Sequence, residues 1–337
     1  MSGPVSIVAE HDLTEEEERR RTIAVGRGHL VAWQRWDADA TPLVLVHGIR
    51  DCASALIPLA RAFEATHQVL FFIYEDVDRY LDRSADDLAR GLVHIDAARG
   101  GHGHVQMIAH SMGGIVARAS LNSLVDPRWF PTQHAPKLDG AAEAVAGTAS
   151  ARRLERAHAR DFGRIDLVTL DTPWHGFIDA PISVRNRMRT PSSLGDMVAS
   201  SAMFSALFHV PWPDTFGVDY IEAHNGWAGE VSDKMLGLAE RADADLPGLV
   251  SLILDGTRPP DAMLRNQLAA LRAERDYPGL LQRLHAERSA GTLDRAAFQK
   301  ILEDSVATIP GTHQSILTDE LLPRRIAEIL TRRKARA

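Results

Sequence analysis

The chain has a single cysteine, Cys52, in 337 residues. No internal disulfide can form, so packing and hydrogen bonds alone must hold the fold. A surplus of positive charge is also missing: Asp and Glu number 45 against 38 Lys and Arg, a formal net charge of −7. Such a chain has no electrostatic footprint for nucleic acid. No uncharged apolar run reaches about 18 residues, which argues against a transmembrane segment. The N-terminal stretch carries Glu15 to Glu18 and then Arg19 to Arg21, without the apolar centre of a secretory signal. Neither Cys-x-x-Cys nor His-Glu-x-x-His occurs, so metal catalysis lacks support and no metal or cofactor is expected. No repeat at a solenoid period is visible. What is there is ordinary globular material, 45% apolar and 25% charged. The expectation is a soluble, cytoplasmic protein whose oligomeric state is not written in its composition.

Along the chain, residues 1–21 read as a polar arm. Thr22 to Trp36 reads as a hairpin around Gly26-Arg27-Gly28. Leu43–Val46, Gln68–Tyr74, Val105–Ala109 and Ile165–Leu170 are short apolar runs rich in β-branched residues, the pattern of buried strands. Helical spacing fills the intervals: Ala53–Ala65, Ser84–Ala98 with Ser84 as the expected cap, and Gly113–Leu124. Strands alternating with helices predict an α/β fold with a mostly parallel sheet covered on both faces. Residues 127–163, with Arg152, Arg153 and Arg156, read as a surface excursion. Leu249–Leu254 fits a strand or one side of a helix. Helical spacing dominates 261–303, followed by a last strand at Val306–Ile309 and a helix over Pro323–Leu330. The expected organisation is an arm (1–21), a first core part (22–176), a lid or cap insertion (177–248) and a second core part (249–337).

One segment points to chemistry: Val105-Gln-Met-Ile-Ala-His110-Ser111-Met112-Gly113-Gly114. A strand runs straight into a helix with a serine at the turn and small residues on either side. Such a turn strains the serine backbone and lifts its Oγ clear of the sheet. Ala109 stands where a first glycine is usual, and Gly113 keeps the second. The helix N-terminus directs N–H groups toward the same place, favouring a developing oxyanion.

This stretch resembles the lipase and carboxylesterase branch of the α/β-hydrolase superfamily, in which His-Ser-Met-Gly-Gly is a frequent form. Leu43-Val-Leu-Val-His47-Gly48-Ile49 is similar to the loop after the third strand in that family. Asp171-Thr-Pro-Trp-His175-Gly176 resembles a segment after the sixth strand. Ile309-Pro-Gly311-Thr-His313 resembles the catalytic-histidine loop. The resemblance implies an α/β-hydrolase fold with an inserted lid, a Ser111–His313 pair, and an oxyanion hole from the backbone N–H groups of Ile49 and Met112. It implies hydrolysis of a carboxylic ester through an acyl-enzyme, with no cofactor.

The third member of the triad stays open. A Ser-His pair needs a carboxylate to hold the imidazole tautomer. Asp255 follows Leu-Val-Ser-Leu-Ile-Leu and precedes Gly256, a suitable strand end and the first choice. A rival reading makes Val218–Glu222 the seventh strand and puts the acid at Glu230 or Asp233. Asp171, at the end of the sixth strand, is a third option.

The uncharged segment Met197–Pro213 suggests a helical face of Met203, Leu207 and Val210, with Phe204 and Phe208 beside it. These two phenylalanines are the expected substrate-binding residues for a small hydrophobic ester, with transient contact to a lipid surface left open. The alternative for the same segment is plain core. Alternative functions are an acyl thioesterase or acyltransferase using the same triad, and a non-catalytic scaffold binding a hydrophobic ligand. His47 and His110 read as packing and hydrogen-bonding residues around the serine turn, His175 as a loop brace, and Cys52 as a small buried residue.

Overall fold

A computed structural model describes residues 22–25, 28–49, 51–76, 79–101, 103–126, 129, 162–174, 193–197, 202–208, 210–223, 237–256, 264, 267–268, 271–272, 277–305 and 307–336. The arm over 1–21 and most of the excursion over 127–163 lie outside them. Eight strands form one sheet: β1 (Thr22–Val25), β2 (Gly28–Ala32), β3 (Thr41–Val46), β4 (His67–Ile73), β5 (His104–His110), β6 (Arg164–Leu170), β7 (Phe216–Ala223) and β8 (Ala307–Ile309). Their order is β1-β2-β4-β3-β5-β6-β7-β8. The β1–β2 hairpin and the β2–β4 pair are antiparallel, and every later pair is parallel.

The helices are α1 (Ile57–Phe63), α2 (Leu81–Ala98), α3 (Met112–Val125), the single turn α4 (Ser193–Asp196), α5 (Ala202–Leu207), α6 (Gly237–Asp255), α7 (Tyr277–Ala290), α8 (Arg295–Glu303) and α9 (Leu322–Arg336). Side chains alternate across the sheet. Val44, Val46, Val105 and Met107 face a core shared with α2 and α3. Leu43, Leu45 and Ile108 face a second core shared with α1 and α9. Burial on both faces is why these strands read as unbroken apolar runs. The sheet, its order and its helices on both sides are those of the α/β-hydrolase fold.

Several expectations change. Phe216–Ala223, inside the segment read as a lid, is a central strand paired with β6 and β8. Its alternation is masked because Gly217 to Asp219 are only half-buried, near the sheet's end. Leu249–Leu254 belongs to α6, not to a strand. The helix breaks at Asp245 (φ −157°, ψ 74°), whose Oδ1 accepts the Gly248 N–H at 2.9 Å. A carboxylate cap followed by Pro247 starts a fresh helix, and Leu249, Val250 and Ile253 then fall on one face. α6, α7 and α8 pack on one another around a core of their own, including Leu249, Ile253, Leu280, Leu284 and Phe298. The large insertion among the described residues therefore lies between β7 and β8.

α2 begins three residues before Ser84, at Leu81. Its cap comes from far away: Asp196 Oδ2 accepts the Leu81 N–H at 2.7 Å.

Candidate active site

In this strand order the chain leaves β3 for β4 on one side and returns to β5 on the other. Ligands in open parallel sheets bind beyond the strand ends at such a crossing. The C-terminal ends of β3 and β5 meet there as His47-Gly48-Ile49 and His110-Ser111.

Ser111 lies between β5 and α3 with φ 54° and ψ −131°, a left-handed conformation that costs a side-chain-bearing residue free energy. Its N–H donates to Leu170 O at 2.9 Å, and its own carbonyl accepts from Gly114 N at 3.0 Å. Gly113 has to lack a side chain, since a Cβ there would sit 2.4 Å from His47 O and 2.7 Å from Val46 O. Gly48 approaches as closely from the other side, where a Cβ would lie 2.8 Å from Ser111 Cβ. Ala109 is fully buried in β5, so its methyl is accommodated.

His313 comes from the loop after β8. Its Nε2 lies 2.9 Å from Ser111 Oγ, and its Nδ1 lies 2.5 Å from Asp171 Oδ2. Asp171 is fully buried at the end of β6, with φ 46°. Its Oδ1 also accepts the Ala223 N–H at 3.3 Å. A carboxylate fixed at both oxygens leaves Nδ1 as the protonated nitrogen, which frees Nε2 to accept from the serine hydroxyl.

The structure thus brings Ser111 and His313 together and sets Asp171 behind them, in place of the expected Asp255. Asp255 is exposed at the end of α6. It was misplaced because its strand is a helix. Glu230 and Asp233 lie outside the described residues, as do His175 and Gly176. The signal for Asp171 was its position directly after the apolar run of β6.

Around this line, Tyr74 donates its hydroxyl to His47 O at 2.8 Å, and its ring stacks on the His47 ring at 4.5 Å. Burial lowers the His47 pKa and pushes the Tyr74 hydroxyl well above its ordinary value, so both stay neutral in this wall. Ile49 is half-buried and Met112 fully buried at the two strand ends.

Arg118, on α3 about two turns past Ser111, is buried among Phe208, Trp212 and Trp174, with ring centroids 4.4, 4.3 and 5.8 Å from its guanidinium carbon. Its Nε donates to Leu207 O at 3.3 Å, and Asn122 Nδ2 donates to the same oxygen at 2.8 Å. These contacts bind α5 and the turn after it onto α3. Met203 and Leu207, read as one helical face, are core residues, as the plain-core alternative had it. Phe208 is half-buried against Trp174 and Arg118. Phe204 lies in α5, and its side chain is outside the described set. Cys52 is exposed rather than buried, with its Sγ 2.6 Å from Ser54 Oγ. Among the described residues no group of three His, Cys, Asp or Glu could hold a metal ion, and no helix is long and apolar enough to cross a membrane.

No protein-family model and no curated protein matches the chain. Among solved structures it is similar to the mature form of a lipase from Bacillus licheniformis, at 14% identity over 89% of this chain and 97% of that one, with a TM-score of 0.44. An alpha/beta hydrolase enzyme from the metagenome of sediments of a Moroccan lagoon shares 12% identity over 93% and 99%, with a TM-score of 0.41. An esterase from Thermogutta terrifontis shares 14% over 92% and 98%, with a TM-score of 0.42.

Proposed function

We propose that this chain is a serine hydrolase that cleaves carboxylic esters through an acyl-enzyme. The observation that carries the reading is the line Ser111 Oγ–His313 Nε2–Asp171, with the serine in strained backbone at a strand end. In this reading His313 takes the Ser111 proton as Oγ attacks the ester carbonyl. Asp171 stabilises the imidazolium that forms. The N–H groups of Ile49 and Met112 receive the oxyanion, a type of interaction worth about 10²–10³ in kcat per donor. The imidazolium then protonates the leaving alcohol, and water activated by the same histidine releases the acid.

The substrate is proposed to be small and hydrophobic. With Met203 and Leu207 turned into the core, this part rests on Phe208 and Trp212, both only partly covered and both against Arg118.

A fluorophosphonate probe tests the central claim: it should label the wild-type chain and fail to label Ser111→Ala. Hydrolysis of p-nitrophenyl esters of increasing acyl length, set against an acyl thioester, tests the substrate. Turnover of the thioester with none of the esters would replace the esterase by a thioesterase using the same residues.

A further inference from the structure

The loop that carries His313 is shaped by local hydrogen bonds: Thr312 N–H donates to Ser315 Oγ at 2.7 Å, and Ile316 N–H to Thr312 O at 3.0 Å. These shape the turn, while Asp171 holds the imidazole at the end of β6. A tie comes from the residue before the nucleophile. His110 is buried at the end of β5, and its Nε2 lies 2.8 Å from the main-chain oxygen of His313. A carbonyl oxygen can only accept, so Nε2 carries the proton. The two imidazoles are 4.6 Å apart, tilted by 36°.

The other nitrogen of His110, Nδ1, faces Asp51 Oδ2 at 3.7 Å, ion-pair range rather than a hydrogen bond. Both atoms are buried, and neither has another hydrogen-bond partner. Asp51 comes from the loop after β3, and its Oδ1 accepts the Cys52 N–H at 2.9 Å. Burial pushes the Asp51 carboxyl up, but His110 and that N–H more than offset it and hold it below its ordinary value. Asp51 is therefore a carboxylate facing His110 at ion-pair distance, an attraction that needs a proton on Nδ1 as well as on Nε2.

We propose that His110, backed by Asp51, is a positioning residue: it clamps the main chain of the His313 loop to the sheet so that the imidazole meets Ser111 Oγ. The inference rests on the serine-hydrolase reading above. Asp171 fixes the orientation of the ring, whereas His110 fixes where the loop stands. Displacing a reacting group by about 1 Å is enough to cost on the order of 10²-fold in rate.

The test is kinetic, with p-nitrophenyl butyrate as substrate. His110→Leu keeps the bulk and removes the donor. It should lower kcat about 10- to 100-fold with KM nearly unchanged, because substrate binding does not use the loop's position. His110→Gln, whose amide can donate to His313 O, should recover most of that loss. Asp51→Asn should cost less than His110→Leu, and adding it to His110→Leu should cost nothing further, since Asp51 acts through His110. The inference is overturned if His110→Leu turns over at the wild-type rate, if Gln is no better than Leu, or if the Asp51 and His110 losses add. Should His110→Leu fail to fold, His110→Gln and Asp51→Asn decide alone: a large kcat loss in the former or none in the latter refutes the clamp. A wild-type chain that no fluorophosphonate labels would instead remove the hydrolase reading itself.

Discussion

Ser111 holds its place at the turn through backbone strain, and two substitutions separate that strain from its chemistry. At φ 54° a glycine is at ease and an alanine is not. Ser111→Gly and Ser111→Ala should be equally inactive, yet the glycine variant should melt higher by the equivalent of about 1 kcal/mol, read by calorimetry. Equal melting temperatures would mean that the turn relaxes. The acid gives a second prediction at this scale. Asp171→Asn should lower kcat by about 10⁴, because the amide no longer holds the correct tautomer. Asp255→Asn, altering an exposed helix end, should leave kcat unchanged. The losses in Ser111→Ala, His313→Ala and Asp171→Asn should not add when combined, since the three groups act as a unit. The reverse ranking of the two Asn variants in a kcat assay would return the acid to the β7–β8 insertion.

Among the elements, the joint between α4 and α2 is sensitive to pH. Asp196 caps α2 through the Leu81 N–H. Burial raises its pKa to about 7, the Leu81 hydrogen bond opposes that rise, and the charge of Asp82 adds to it. Between about pH 4 and pH 7 the unfolded chain gives up this proton while the folded chain keeps it. The unfolded state then binds fewer protons, so this group's contribution to stability falls as pH rises through that window. Asp196→Asn still accepts from Leu81 and cannot ionise. Its melting temperature, relative to wild type, should gain between about pH 5 and about pH 8. A constant difference across that range would place the carboxyl in water. The same segment is joined to α3 through Arg118 and Asn122 at Leu207 O, so this cover is fastened from two helices.

At the scale of the whole molecule, the described residues form three apolar cores: one on each face of the sheet and one within the β7–β8 insertion. The third shares no core residue with the other two, so its stability should be partly separable. Phe298 is buried at its centre. Phe298→Ala should cost about 3–5 kcal/mol of packing there. Amide exchange should then lose protection over 237–303 while β3, β5 and β6 stay protected and Ser111 still reacts with a fluorophosphonate. Loss of protection throughout would show that the insertion and the sheet unfold as one cooperative unit.

How much of this was legible in the sequence depends on whether the signal was local. The strand–Ser111–helix turn, the His47-Gly48 loop and the His313 loop could be read because each is a short pattern whose residue types answer a local constraint. Examples are a turn that admits no Cβ at Gly113 and runs of Val, Ile and Leu buried on both faces. The Asp245 cap with Pro247 was equally local and would have made Leu249–Leu254 helical, but six apolar residues carry no period long enough to overrule a strand. The sequence offered Asp171 among the candidate acids but could not choose it. Asp171 and Asp255 each follow an apolar run and look alike in one dimension. Only the pairing of β6 between β5 and β7 puts Asp171 against His313, some 142 residues away in sequence. The same holds for His110 and Arg118, whose partners belong to loops far along the chain. By itself the sequence picked out Ser111, His313 and the turn that presents the serine. Tertiary structure decided which carboxylate joins them, because a hydrogen bond of 2.5 Å depends on strand order and not on spacing.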